Sequence, residues 1–117
     1  MLDTATLRLA HLSLGVTDID VSERFYRDVL RLETKRDGDR VVVRWGDFAL
    51  ILIQRPPATR AKFHVGFRVD SPEEVDSWSQ RIQDAGVNIF SGPSSDGSSR
   101  RLYFIDPDDY EIEIYSE

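Results

Sequence analysis

The sequences HLSLGVTD, at residues 11–18, and HVGFRVDS, at residues 64–71, are two copies of one pattern. In both copies apolar and polar residues alternate, which predicts a β-strand with one buried face. Each copy begins with one of the chain's two histidines, His11 and His64. We therefore expect the chain to be built from two similar halves.

A helix is predicted to follow each of these strands. The offset that relates the two histidines also aligns Phe25 with Trp78, and apolar residues recur at helical spacing around both. We expect the first helix over residues 19–32. The second is expected to begin after Ser71 as its N-cap and to stop at Gly86, a residue suited to a left-handed helix end.

The remainder of each half is predicted to consist of strands. The predicted hairpins pair residues 41–44 with 48–53 and 101–105 with 110–115, and a short strand is expected at 87–90. Residues 92–99, which are rich in glycine and serine, are expected to form a flexible loop. The sequence thus predicts an α+β fold of two βαβββ modules that form a curled mixed sheet, with the helices on one face.

Length, composition and charge limit the functions open to this chain. Its 117 residues suit one domain, with module 1 at about 7–54, a linker at 55–60 and module 2 at about 61–116. The net charge of −6 argues against nucleic-acid binding. There is no cysteine, so thiolate metal sites and disulfides are excluded. With no membrane-span or signal-peptide pattern, we expect a cytoplasmic protein that does not bind membranes.

Three ionisable side chains are predicted to share the sheet face opposite the helices. His11 and His64 alternate with the apolar positions of their strands, and Glu113 alternates with Ile112 and Ile114 in the last strand. Two imidazoles and one carboxylate on one face suit a divalent metal ion. The alternative is a set of solvated polar positions on an open sheet, and the repeat-equivalent placement of the histidines favours the metal.

Taken together, these motifs resemble the vicinal oxygen chelate superfamily, which includes glyoxalase I, fosfomycin-resistance enzymes, bleomycin-binding proteins and type I extradiol dioxygenases. The motifs are FYRDVL at residues 25–30 and YFIDPD at residues 103–108, together with His11, His64 and Glu113. The resemblance covers essentially the whole chain. It implies the glyoxalase/bleomycin resistance/dihydroxybiphenyl dioxygenase fold, with the two histidines and the glutamate as metal ligands.

Ile51 distinguishes between the reactions of this superfamily. Glyoxalase I-like enzymes carry a glutamate there, which serves as fourth ligand and base, and isoleucine can do neither. The resemblance therefore implies three protein ligands and open positions on Fe(II), Mn(II), Zn(II) or Ni(II), as in the non-haem iron oxygenases. An extradiol-type ring-cleaving dioxygenase is the first prediction, although no third histidine is present to act as acid–base catalyst.

Two alternatives to ring cleavage remain open at this point. One is a glyoxalase-like lyase or epimerase, and the other is a protein that sequesters a small molecule, as the bleomycin-binding relatives do. Fosfomycin resistance itself is disfavoured. Pro93 and Gly97 stand where the resemblance calls for a lysine and a serine.

Further residues on the open face are predicted to contact a small-molecule substrate. Tyr103 is the candidate catalytic residue, because a phenol near the metal can exchange a proton with a substrate oxygen; the alternative is a packed strand tyrosine. Arg68 and Arg101 are candidates for binding an anionic group. Ser13 and Ile51 are expected to complete the substrate-binding surface, the isoleucine as an apolar wall.

The linker at 55–60 also predicts an oligomer. It is short and contains two prolines, which disfavours folding both modules of one chain into a single cup. In the superfamily the modules of two chains often complete each other. We therefore predict a homodimer in which His11 of one subunit joins His64 and Glu113 of the other.

Overall fold

Each half of the chain folds as a four-stranded mixed sheet with helical segments packed on one face. This computed structural model describes residues 9–57 and 64–117. The chain divides into two compact units between residues 57 and 58, which falls inside the linker predicted at 55–60.

The described residues of the first unit, 9–57, form one α-helix, a π-helical segment and four strands. The α-helix and the strands are β1 (His11–Val16), α1 (Ile19–Arg24), β2 (Glu33–Asp37), β3 (Arg40–Trp45) and β4 (Phe48–Gln54). The strand order is β1-β4-β3-β2, and β1 runs parallel to β4 while the other pairs are antiparallel.

The second unit repeats the same topology. Its elements are β5 (His64–Arg68), α2 (Pro72–Asp84), β6 (Ile89–Asp96), β7 (Ser99–Ile105) and β8 (Glu111–Ser116). The order is β5-β8-β7-β6, again with a single parallel pair, β5 with β8. The two βαβββ modules and the α+β class predicted from the sequence are confirmed.

The helix-facing side of each sheet carries the core. In the first unit the fully buried strand residues include Val41, Val43, Leu50 and Leu52, and in the second they include Leu102, Phe104 and Ile112. The helix α2 adds Val75 and Ile82. Fully burying an aliphatic or phenylalanine side chain of this kind stabilises a fold by about 1.5 to 3 kcal/mol. Because strand side chains alternate, the residues between these positions project to the opposite, open face of each sheet.

Side-chain caps fix where both α-helices begin. Asp18 Oδ1 accepts from the backbone N–H groups of Asp20 and Val21, at 3.0 and 3.3 Å. Ser71 Oγ accepts from the backbone N–H of Glu74 at 3.3 Å. These bonds satisfy donors that the first helical turn leaves without a partner. The predicted N-cap at Ser71 is confirmed.

The single helix predicted over residues 19–32 is wrong in its second half. The α-helix ends at Arg24, and Phe25–Val29 continue as a π-helical segment that buries Tyr26. An apolar stripe shows that a helical face is buried, but it does not distinguish an α turn from the wider π turn. The predicted start of module 1 at residues 7–8 lies outside the described part of the chain, as do linker residues 58–60 and the predicted start of module 2 at 61–63.

The loop predicted at 92–99 is also wrong. The strand β6 runs from Ile89 to Asp96 and pairs with β7 up to the turn before Ser99, so it is longer than the strand predicted at 87–90. It is an edge strand with two register shifts, where glycine, serine and proline are tolerated because one side of the ladder needs no partner.

Within residues 9–57 and 64–117, no helix has the length and apolar character needed to cross a membrane.

Candidate functional site

The open face of the second sheet places the predicted site residues in rows across the strands. One row consists of Gly66 on β5, Glu113 on β8 and Tyr103 on β7, because Glu113 pairs with both of the others. His64 pairs with Glu111, and both lie two residues along their strands from this row, on the same face of the sheet. The sheet register therefore brings together two of the three predicted metal ligands and the predicted catalytic tyrosine.

The two oxygens of the Glu113 carboxylate have different partners. Oε1 lies 3.1 Å from His64 Nε2. Oε2 accepts a hydrogen bond from the Tyr103 hydroxyl at 3.0 Å and lies 3.5 Å from a terminal nitrogen of Arg101. The Glu113 side chain is only 9% exposed, and a carboxylate this deeply placed needs such partners to remain stable.

Arg101 connects this carboxylate to the residues where β7 begins and β8 ends. Its second terminal nitrogen donates to Ser99 Oγ at 2.9 Å, and Ser99 Oγ in turn donates to the carbonyl oxygen of Ser116. The Tyr103 hydroxyl is the main cause of a raised pKa at the Arg101 guanidinium, and the charge of Glu113 acts in the same direction. Arg101 is thus a fixed positive charge beside the glutamate.

Aromatic rings border the site on one side. The rings of His64 and Tyr103 are 5.7 Å apart and edge to face, and those of Phe90 and Tyr103 are 6.1 Å apart. Phe90 is 55% exposed, although it is a large apolar side chain. The sequence interpretation missed Phe90 as a site residue, because its strand was predicted to end there.

Gly66 keeps the approach to Glu113 open. A Cβ atom at this position would lie 3.5 Å from Glu113 Oε1 and 3.3 Å from a ring carbon of Tyr115. A larger side chain would therefore occupy the space next to the carboxylate. Gly66 and Tyr115 were not assigned to the site from the sequence, although a glycine inside an alternating strand is a signal of close approach.

The corresponding row of the first sheet contains no ionisable side chain. There Ile51 pairs with Ser13 on β1 and with Val42 on β3, as Glu113 pairs with Gly66 and Tyr103. Ile51 therefore holds in the first sheet the register position that Glu113 holds in the second. His11 pairs with Ala49 and is exposed, as is Ser13.

Most of the chain matches one known protein family. Residues 8–114 match the family model described as the Glyoxalase/Bleomycin resistance protein/Dioxygenase superfamily. The chain belongs to this superfamily. The resemblance inferred from the sequence motifs is therefore confirmed.

Individual members of the superfamily resemble the chain along most of its length. It is 32% identical to the Glutathione transferase FosA of Serratia marcescens, over 92% of this chain and 79% of that protein. It is 27% identical to the Metallothiol transferase FosB of Staphylococcus saprophyticus, over 91% and 74%. Among solved structures, the Lactoylglutathione lyase of Agrobacterium tumefaciens is 25% identical, with a TM-score of 0.76 over 95% of this chain and 93% of that one.

The donor atoms of the second unit fit one divalent metal ion. A nitrogen and an oxygen that each lie about 2.1 Å from one metal are about 3.0 to 3.4 Å apart at tetrahedral or octahedral angles. The 3.1 Å between His64 Nε2 and Glu113 Oε1 falls in that range. Among residues 9–57 and 64–117, the structure shows no group of three histidine, aspartate or glutamate side chains that could hold a metal. The third ligand, predicted to be His11, stays a prediction.

Proposed function

We propose that this protein is a metal-dependent enzyme that acts on a small molecule with adjacent oxygen atoms and takes a thiol compound as its second reactant or as part of its substrate. The observation that carries the proposal is that the two oxygens of the Glu113 carboxylate have different partners. One oxygen is held by Tyr103 and the other lies beside His64, available to a cation.

The thiol part of the proposal is supported by the names of the relatives. FosA is named as a glutathione transferase, FosB as a metallothiol transferase and the Agrobacterium protein as a lactoylglutathione lyase. Lyase and thiol-transfer chemistry therefore rank before ring cleavage for this chain. Fosfomycin as the substrate stays disfavoured by Pro93 and Gly97.

The proposed metal ligands are His64 and Glu113, with His11 as the third. The ion, one of Fe(II), Mn(II), Zn(II) or Ni(II), would act as a Lewis acid toward the substrate oxygens. We also propose that the two modules function as one domain and that the protein is a homodimer.

Four further side chains are proposed to handle the substrate. Tyr103 would exchange a proton with a substrate oxygen, since its hydroxyl is already oriented at the carboxylate edge. Arg68 and Arg101 would hold a negatively charged group. Phe90 would contact an apolar part, because its exposed ring continues the aromatic border formed by His64 and Tyr103.

Ring-cleaving dioxygenase activity, the first prediction from the sequence, is the second candidate. Two observations favour it: the absence of a carboxylate at Ile51, and the aromatic rings of Phe90 and Tyr103, which suit a flat aromatic substrate. The lack of a third histidine counts against it. Sequestration of a small molecule, the remaining alternative, gives no reason for the pairing of His64 with Glu113.

Parallel activity assays test the proposal. Protein loaded with Zn(II) or Ni(II) is given the hemithioacetal of methylglyoxal and glutathione, and glutathione with a panel of small epoxides. Protein loaded with Fe(II) is given catechols while oxygen uptake is measured. We expect metal-dependent turnover in a thiol assay that a chelator abolishes. Oxygen uptake without thiol turnover would overturn the ranking, and inactivity in all assays would contradict the proposal.

A further inference from the structure

The open face of the second sheet carries one more row of side chains next to Glu113. Tyr115 on β8 pairs with Arg68 on β5 and with Arg101 on β7. All three residues lie two positions along their strands from the row of Glu113, so their side chains project to the same face. Two arginines therefore flank one tyrosine beside the candidate metal ligand.

Several hydrogen-bond donors in this row have no partner among the residues that the structure describes. A guanidinium has five N–H donors. Among the described residues, Arg101 contacts Ser99 Oγ, Glu113 and Tyr103, and Arg68 has a long 3.6 Å ion pair with the exposed Glu117. The Tyr115 hydroxyl makes no hydrogen bond to any residue in 9–57 or 64–117.

The row of Tyr115 lies close enough to the row of Glu113 for one small molecule to contact both. Two residues along a strand span about 7 Å. A small molecule with its reacting oxygens at His64 and Glu113 would therefore extend its other end to the row of Arg68, Tyr115 and Arg101. Because the row presents two positive charges and a phenol, that end would be an anion.

We propose that Arg68, Tyr115 and Arg101 form an oxyanion subsite that binds a carboxylate, phosphonate or phosphate group of the substrate. The assignment of this group to the substrate rests on the function proposed above. It narrows the substrate to molecules that carry a negative group close to their reacting oxygens, because the Arg101 guanidinium lies 3.5 Å from Glu113 Oε2. The two arginines supply the charged donors to the oxyanion, and the Tyr115 hydroxyl between them in the row supplies a neutral donor.

The test uses the full-length protein freed of metal by a chelator, so that no anion binds through a metal ion. Inorganic phosphate and acetate are titrated separately at constant ionic strength, and NMR shifts of the arginine side-chain and backbone N–H groups are followed. We expect saturable shifts centred on Arg68, Arg101 and Tyr115. Arg68→Gln and Arg101→Gln should each raise the apparent Kd about tenfold, because each removes a charge-assisted hydrogen bond. Tyr115→Phe should raise it about threefold, as expected for one neutral hydrogen bond.

Arg27→Gln is the matched control. Arg27 is a surface arginine paired with Asp28 at 2.9 Å, on the helical segment of the other unit. The subsite is supported if either anion binds saturably to the wild type and to Arg27→Gln but binds weakly to Arg68→Gln and Arg101→Gln. The anion that binds more tightly then identifies the chemical group that the subsite prefers. Unsaturable shifts, or equal weakening in Arg27→Gln, would overturn it. The anion titration is done without metal, so its failure would not contradict the proposed metal ligands. Likewise, a failure of the protein to bind metal would not change the result of the anion titration.

Discussion

Tyr103 and Glu113 face each other across β7 and β8, with the tyrosine hydroxyl 3.0 Å from Oε2 of the carboxylate. His64 Nε2 lies 3.1 Å from the other oxygen. The tyrosine therefore fixes the rotation of the carboxylate and keeps Oε1 directed to the histidine. In metal sites, a partner that orients a ligand in this way raises the affinity for the ion.

Replacing Tyr103 by phenylalanine removes this orienting hydrogen bond. We expect the free energy of unfolding to fall by about 1 to 2 kcal/mol, because the nearly buried carboxylate loses a donor. Turnover should fall by about 10²- to 10⁴-fold if the phenol also carries a proton. Urea denaturation and steady-state kinetics measure the two effects. Tyr110→Phe, which alters a buried tyrosine preceding β8, is the control and should leave kcat unchanged.

Gly66 is predicted to control access to Glu113. In Gly66→Val, the added methyl groups fill the space between Tyr115 and Oε1 of the carboxylate. We expect metal affinity to fall at least about tenfold, the result typical of disturbing the groups around a metal ligand. Stability should fall modestly, because even the added Cβ lies 3.3 Å from a ring carbon of Tyr115 and the ring must shift. Metal titration and thermal unfolding test this, and Gly66→Ala should show a smaller effect. Unchanged affinity in the valine variant would contradict it.

The predicted sharing of the metal site between subunits can be tested by mixing variants. His11→Ala and Glu113→Ala should each bind no metal alone. After unfolding and refolding together, heterodimers form, and each contains one site with all three ligands. We expect about a quarter of the wild-type metal content in the mixture. No recovery, in a mixture that light scattering shows to be dimeric, would place all three ligands in one chain. A monomeric wild-type protein with full metal content would contradict the dimer itself.

The cap at Ser71 gives a prediction about stability alone. Ser71→Ala removes the acceptor for the Glu74 N–H at the start of α2. We expect a loss of about 1 kcal/mol in the free energy of unfolding, measured by urea denaturation. Ser71→Gly should cost only a few tenths of a kcal/mol, because water can then reach the helix end. An unchanged free energy of unfolding in Ser71→Ala would contradict a stabilising role of this hydrogen bond.

The sequence predicted the elements whose pattern reflects burial. Alternation in HLSLGV and HVGFRV gave β1 and β5, because one side of each strand faces the helices. The same reasoning failed for β2, whose sequence ETKRD contains no apolar residue, since it is an edge strand exposed to solvent. It failed again for β6, where pairing with β7 overrides the turn preference of glycine and serine.

The candidate site was predicted in part for similar reasons. The facing pattern predicted that His64, Tyr103 and Glu113 share one face. The partners of each carboxylate oxygen depend on the register of β5, β7 and β8, which the sequence did not provide. The contributions of Phe90 and Tyr115 likewise depend on side-chain contacts across strands rather than on alternation within one strand.

The most direct test of the proposed metal centre is the metal content of purified protein after dialysis against limiting Zn(II) or Mn(II). We expect one ion per subunit in the wild type, and almost none in His64→Ala or Glu113→Gln, because two remaining ligands hold a divalent ion poorly. Glu111→Gln is the matched control, since Glu111 lies on the same strand, is exposed and pairs with His64 in the sheet. It should keep the full metal content. Stoichiometric metal in the His64→Ala or Glu113→Gln protein would contradict the assignment of these residues as ligands.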